Sequence, residues 1–122
     1  MHIAEKPEQH LGAVIGDGHC VALVRHAASA PHTSTWRRGV RVLDAAVPRG
    51  TIVATFTDEG RYANAEDGSS HACIFLEETP RGSLRVIDQW VGRVASERVI
   101  LDRGGVGQAA DVASRYFVVE TE

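Results

Sequence analysis

The sequence predicts an α+β fold in which one helix packs against an antiparallel sheet of about five strands. The helical pattern stands near the start of the chain, at residues 19–28, and a meander of strand-length apolar runs follows it. No internal repeat, low-complexity tract or long linker divides the 122 residues. Residues 1–122 are therefore expected to form a single domain, which is long enough to bury a core.

The first 46 residues are expected to carry the helix between two irregular segments. Residues 3–10 are predicted to form a short helix or a loose arm. In the helix that follows, apolar side chains lie nearly all round, which indicates a central and buried helix with Asp17 or Gly18 near its N-cap. Residues 29–39 then read as a polar loop in which Trp36 packs, and residues 40–46 as a short amphipathic turn.

Apolar runs bounded by glycine, proline and polar residues are typical of β-strands. Residues 78–82 suit a hairpin turn between the two central runs. If that turn is centred on Thr79-Pro80, His71 lies opposite Asp88 and the neighbouring pairs make one face apolar. The predicted strands are residues 51–56, 71–77, 84–90, a strand near 98–101, and 116–120.

Composition and charge exclude several classes of function. Hydrophobic residues make up 43% and charged residues 24% of the chain, as in ordinary globular domains. The net charge is −3 and the basic residues are scattered, so no nucleic-acid partner is expected. The apolar runs fall short of the roughly 20 residues that span a bilayer, so no membrane partner is expected.

The first ten residues contain no apolar stretch and no cleavage site typical of a secretory signal. The chain is therefore expected to be made in the cytoplasm. If the protein acts in a periplasm or outside the cell, we expect export by a signal-independent route.

The cysteines and histidines do not predict a metal site, because no closed set of four ligands is present. A disulfide between Cys20 and Cys73 is conceivable, but a reducing cytosol would keep both as thiols. The glycine-rich run 102–107 lacks the Lys-Ser/Thr that completes a phosphate-binding loop. No cofactor is therefore expected.

Cys20 is the candidate nucleophile, because it begins the predicted helix after a polar, glycine-bearing segment. Unpaired backbone N–H groups and the helix dipole at that position lower a thiol pKa. His71 opens a strand and Asp88 lies near the end of the next one, whereas alternation places Gln89 on the opposite face. A nucleophile, a base and an orienting acid in this arrangement predict a cysteine hydrolase.

Three segments resemble a known superfamily: Gly-His-Cys-Val-Ala-Leu-Val at 18–24, His-Ala-Cys-Ile-Phe at 71–75 and Val-Ile-Asp-Gln-Trp at 86–90. They are similar to the CHAP and NlpC-type cysteine peptidases and amidases of bacterial cell walls, which share a papain-like core. The resemblance is strongest to small stand-alone bacterial domains, some of which are amidase effectors of type VI secretion. It implies Cys20, His71 and Asp88 as catalytic residues and an amide bond of peptidoglycan peptides as the substrate.

One position departs from the papain-like pattern. A glutamine often precedes the nucleophile and helps to hold the oxyanion, whereas His19 stands there in this chain. The oxyanion is then left to the Cys20 N–H and a second donor, for which the His19 and Asp17 backbones are the candidates. Asp17, His19 and Trp90 are the expected substrate-binding residues, since His19 adjoins the thiol and Trp90 follows Asp88 on the same face.

Three functions are compatible with this pattern. The first is a peptidoglycan amidase, either a secreted antibacterial effector or a wall-remodelling enzyme. The second is a non-catalytic module that binds peptides or proteins through the same scaffold. The third is a papain-like deamidase or acyltransferase acting on protein side chains, because the triad is the same. For an effector, the resemblance implies a cognate immunity protein as partner, and a monomer is expected.

Overall fold

The computed structural model describes residues 1–102 and 106–121. Within these ranges, one α-helix packs on a six-stranded antiparallel sheet. The helix α1 spans Cys20–Ala28, and the sheet has the strand order β1-β6-β2-β3-β4-β5. The strands are β1 Trp36–Arg41, β2 Ile52–Thr55, β3 Ala72–Glu78, β4 Leu84–Trp90, β5 Arg93–Ile100 and β6 Tyr116–Thr121.

The α+β prediction is correct, but the sheet has one strand more than expected. The additional strand β1 reads Trp-Arg-Arg-Gly-Val-Arg and falls where a polar loop and the start of a turn were predicted. It is an edge strand, so its charged side chains reach water while only one neighbour pairs with it. Trp36 anchors its start with no exposed surface, which confirms packing as the role of this side chain.

The other edge strand, β5, begins at Arg93 rather than near residue 98. Its exposed and buried residues alternate, and charged residues interrupt its apolar ones. A run of this kind is weaker as a sequence signal than the continuous apolar stretches of the inner strands. The glycine-rich run 102–107 lies partly outside the described residues.

The helix α1 covers one face of the sheet and is buried along only one side. Leu23 and Val24 have no exposed surface and pack with Ile74 and Ile87 of the central strands. Arg25 and the residue after it are exposed, which corrects the expectation of a helix buried all round.

The helix N-cap is His19, which directly follows the Asp17 and Gly18 that were expected near this position. The opposite face of the sheet holds a second core layer, which includes Val42, Cys73 and Tyr116.

The β3–β4 hairpin has a different register from the prediction. Phe75 pairs with Val86, two positions from the expected partner Leu84, because the wider turn is closed by a hydrogen bond from Thr79 N–H to the Ser83 carbonyl (2.8 Å). Beyond a β-bulge between Phe75 and Glu77 the register differs from the prediction by three residues. Before the bulge, a shift of two keeps the side chains on their predicted faces, and Cys73, Phe75, Leu84 and Val86 form one apolar cluster as expected.

The N-terminal arm is attached to the sheet. Ile3 forms an isolated antiparallel bridge with Thr51, and a 3₁₀ helix follows at Pro7–His10. Gly50 has φ +92°, and a Cβ there would lie 2.3 Å from the Ala4 carbonyl oxygen, so only glycine allows this close approach. No helix in the described ranges is long and apolar enough to cross a membrane.

Candidate active site

Cys20 lies at the start of α1 and lines an open cleft of about 1180 Å³. The N-cap residue His19 makes no side-chain hydrogen bond to the first turn of α1. Ala22 N–H donates to the His19 carbonyl at 3.2 Å, so the Cys20 and Val21 N–H groups are the ones that can face a molecule in the cleft. The thiol itself is partly exposed. Residues near the thiol that also line the cleft are Asp17, His19, Tyr62, His71 and Trp90.

The Cys20 thiol is surrounded by groups that favour its thiolate form. Burial by itself raises the thiol pKa, but a hydrogen bond with His71, the charge of that imidazole and the Ala72 backbone N–H lower it. The Tyr62 hydroxyl, 3.7 Å from Sγ, acts in the same direction. The balance places the pKa of Cys20 below its ordinary value.

His71 is held just before β3, and its backbone is tied to β2. Its N–H donates to Thr55 Oγ1 and its carbonyl accepts from the Thr55 N–H, both at 3.0 Å. Its ring Nε2 lies 2.8 Å from Asp88 Oδ2, which leaves Nδ1 for the Cys20 thiol. Burial lowers the pKa of His71, but Asp88 and Cys20 outweigh it and raise the pKa to about 9. The two shifts, a lowered pKa at Cys20 and a raised pKa at His71, both favour the thiolate–imidazolium form of the pair.

Asp88 is fully buried at the far end of this chain of hydrogen bonds. In addition to His71, Arg93 Nη1 donates to Oδ1 at 2.8 Å, and Arg98 Nε donates to Oδ2 at 2.9 Å. Burial raises the pKa of Asp88, but His71 and Arg98 outweigh it and hold the pKa below its ordinary value. The carboxylate is charged and each of its oxygens is hydrogen-bonded.

The two arginines were not identified from the sequence, since β5 was expected to begin only at Arg98. The missed signal is the alternation along β5, where Arg98 pairs with Val86 and shares the face of Asp88. Tyr62 was also missed, because it stands alone in a polar loop without a motif around it.

The three predicted substrate-binding residues all line the cleft. The Asp17 carboxylate accepts the His19 N–H at 3.0 Å, so that N–H is already bonded and is not a free oxyanion donor, contrary to one of the two expected choices. His19 Nε2 lies 3.6 Å from Glu66 Oε1. The Trp90 ring is 42% exposed, and its centroid lies 6.2 Å from that of His71.

Cys73 differs from Cys20 in every respect that governs reactivity. It lies fully buried on the other face of the sheet, and burial raises its pKa well above the ordinary value. Both cysteines are free thiols, so the conceivable disulfide between them is absent. Among the described residues, no group of three or more histidine, cysteine or acidic side chains could hold a metal ion.

The lowered pKa of Cys20 predicts an unusual pH dependence of thiol alkylation. The midpoint of Cys20 modification by iodoacetamide should lie below the free-thiol pKa of about 8.5, because the thiolate persists until the pH falls through its lowered pKa. Mass spectrometry of the modified peptides at a series of pH values measures this profile. His71→Gln should move the midpoint up towards the free-thiol value, while Cys73 stays unmodified. A wild-type midpoint at or above pH 8.5 would contradict the prediction.

Fold and sequence together define the class of this protein: it is an amidase, a hydrolase of amide bonds. The chain belongs to the Dae2 family, Domesticated amidase effector 2, whose sequence profile matches residues 1–119. Among solved structures, it is similar to a protein described as Type 6 secretion amidase effector 2 (Tae2).

The structural similarity extends over almost the whole of both chains. The TM-score is 0.85 at 29% sequence identity, and the match covers 99% of this chain and 95% of the other. The comparison with curated proteins gave no match. These findings confirm the α+β fold and the resemblance to amidase effectors.

Proposed function

We propose that this protein is a cysteine-dependent amidase that cleaves amide bonds in peptidoglycan stem peptides. Cys20 is the nucleophile, His71 the general base and acid, and Asp88 the residue that orients the imidazole. The observation that carries the proposal is the continuous chain of hydrogen bonds from Cys20 through His71 to Asp88, with the thiol opening into the cleft. Membership of an amidase effector family supports the choice of substrate.

In the first half of the reaction, the Cys20 thiolate attacks the carbonyl carbon of the scissile amide and forms a C–S bond. The carbonyl oxygen becomes an oxyanion, for which the first-turn N–H groups of α1 and the Tyr62 hydroxyl are the candidate donors. A well-placed donor of this kind lowers the barrier by about 3 kcal/mol. His71 then gives its Nδ1 proton to the leaving amine as the C–N bond breaks.

In the second half, neutral His71 accepts a proton from a water molecule, whose oxygen attacks the thioester carbonyl. The C–S bond breaks, the acid product leaves, and the thiolate–imidazolium pair forms again. Asp88 remains charged throughout, because His71 and Arg98 hold its pKa low, and Arg93 donates a hydrogen bond to its Oδ1. Its part is to keep Nε2 engaged so that Nδ1 points to the thiol.

The walls of the cleft suit a peptide that carries both amines and carboxylates. Asp17, Glu66 and Asp111 contribute negative charge, while Arg25 and Arg98 contribute positive charge. Asp17, His19 and Trp90 are proposed to contact the substrate, since all three lie at this cleft within reach of the thiol. Oppositely charged walls would orient a peptide of this kind along the cleft.

The papain-like order of nucleophile, base and orienting acid supports placing the protein with CHAP and NlpC-type enzymes. Its similarity to a type 6 secretion effector supports synthesis in the cytoplasm and delivery to a periplasm by a signal-independent route. It also supports a cognate immunity protein, which would protect the producing cell by occluding the cleft. Secretion assays with a tagged chain, and co-purification from the producing strain, test these two points.

The test of the proposed reaction is digestion of soluble muropeptides, read by mass spectrometry. We expect stem peptides to be cut at an amide bond, with the two products together gaining one water. The same protein pretreated with iodoacetamide is the control, and it should leave the muropeptides intact because Cys20 is capped while buried Cys73 is not.

Two other outcomes would overturn the proposal. Intact muropeptides together with deamidation or acyl transfer on a protein substrate would identify the related side-chain chemistry. Binding of muropeptides by calorimetry without any turnover would identify a non-catalytic binding module.

A further inference from the structure

Gln89 is a fully buried polar side chain next to Asp88, and it points to the opposite face of β4. All three hydrogen bonds of its amide reach the segment that leads into α1. Its Oε1 accepts from the Ile15 N–H at 3.0 Å, and its Nε2 donates to the carbonyls of Ile15 at 2.8 Å and His19 at 2.9 Å. The amide therefore links the central sheet directly to the residue before Cys20.

The segment bound by Gln89 needs such a link. It contains Gly16 and Gly18, both with positive φ (58° and 88°), and glycine gives the backbone wide freedom. The hydrogen bonds within the segment are local ones, such as Gly18 N–H to the Ile15 carbonyl at 3.1 Å. Bonds of this range shape the turn. The chain ahead of it is attached to β5, where Gly12 N–H donates to the Ala95 carbonyl and Ala95 N–H donates to the Ala13 carbonyl, both at 2.8 Å. Between Ile15 and the thiol, the hydrogen bonds that join the described residues of the segment to the sheet come from Gln89.

We propose that Gln89 is a positioning residue that holds the start of α1, and with it the Cys20 thiol, in register with His71. This inference rests on the proposed role of Cys20. On this basis β4 positions both reacting groups through adjacent residues: Asp88 holds the base on one face, and Gln89 holds the nucleophile on the other. One rigid strand then sets the distance between thiol and imidazole, and a misplacement of about 1 Å is enough to cost 10²-fold in rate.

The experiment compares Gln89→Met with wild type. Methionine keeps the length and apolar bulk of the side chain but removes all three hydrogen bonds. We expect kcat on muropeptides to fall about 100-fold with KM changed less than about 3-fold, because the thiol is displaced while the cleft walls remain. The alkylation midpoint of Cys20 should rise towards the free-thiol pKa of about 8.5, since the thiol loses its contact with His71.

Two further variants make the result decisive. Gln89→Glu should fall between wild type and Gln89→Met, because burial favours its protonated form, which keeps one donor and one acceptor. Arg85→Met on the same strand is the matched control, since Arg85 pairs with Glu77 and Glu97 away from the cleft, and it should leave both readouts unchanged.

A folded Gln89→Met protein with wild-type kcat and a wild-type alkylation midpoint would overturn the proposal. Loss of folding in both Gln89 variants would overturn it too, because Gln89 would then serve the fold as a whole. The alkylation midpoint needs no amidase turnover. If wild type alkylates at low pH yet cleaves no muropeptide, the proposed substrate fails while the positioning role is still tested.

Discussion

Replacing Cys20 by serine is expected to lower kcat on muropeptides by at least about 10⁴-fold while the protein stays folded. A serine hydroxyl is not ionised near neutral pH, so the stabilising contacts around the thiolate have no anion to act on. Loss of the nucleophile in a comparable triad removes nearly all of the catalytic effect. Initial rates by chromatography, with circular dichroism as the check of folding, measure the outcome.

The second cysteine of the chain supplies the control for this substitution. Cys73→Ala should keep kcat within about 3-fold of wild type, because Cys73 lies in the core on the other face of the sheet. It should lower the melting temperature, since it removes a buried sulfur and leaves a small cavity. Substantial turnover by Cys20→Ser, or loss of activity in a folded Cys73→Ala protein, would contradict the assignment of the nucleophile.

Asp88→Leu is expected to affect both activity and stability. His71 loses the acceptor that holds Nε2, so kcat should fall by roughly 10³- to 10⁴-fold. Arg93 and Arg98 lose their buried partner, and Arg98 is left with Asp111 Oδ1 at 3.5 Å. Removing one side of a buried ion pair in this way costs about 3 kcal/mol or more in the free energy of unfolding. Rates on muropeptides and urea denaturation measure the two effects separately.

Two other substitutions show whether the charge of Asp88 or the geometry of its side chain is responsible for these effects. Asp88→Asn keeps the shape of the side chain and one oxygen acceptor, so kcat should fall less than in Asp88→Leu. Its free energy of unfolding should still be lowered, because the two arginines lose their charged partner. Asp44→Leu is the surface control, because Asp44 forms an exposed pair with Arg41, and it should change neither measurement. Wild-type kcat in folded Asp88→Leu would show that His71 is oriented by other groups.

The residues around Asp88 also influence the chemistry of the thiol–imidazole pair formed by Cys20 and His71. Arg93 and Arg98 offset much of its negative charge, and their guanidinium groups lie 4.2 Å and 5.4 Å from the centre of the Trp90 ring. Trp90 therefore packs on the two arginines in addition to lining the cleft. Its side chain connects the wall of the cleft to the group that orients His71.

Much of the candidate site could be predicted from the sequence, because the patterns that mark its residues are local. Each of the three residues is marked by its neighbours in the chain. Cys20 follows a glycine-bearing segment, His71 stands at the head of an apolar run, and Asp88 lies near the end of the next run. Before the β-bulge, the faces of β3 and β4 were predicted correctly even though the register was wrong by two residues, because alternation depends only on odd or even position.

The sequence by itself determined the helix that carries the thiol, the inner strands and the faces of the hairpin. It also indicated that Asp88, and not Gln89, is the partner of His71. Only the tertiary structure revealed strand β1, the contact of Tyr62 with the thiol, the arginines on Asp88 and the link from Gln89 to the start of α1. The physical reason is the range of the interactions. Periodicity and capping act between neighbours in the chain, whereas these contacts join residues that only the folded sheet brings together.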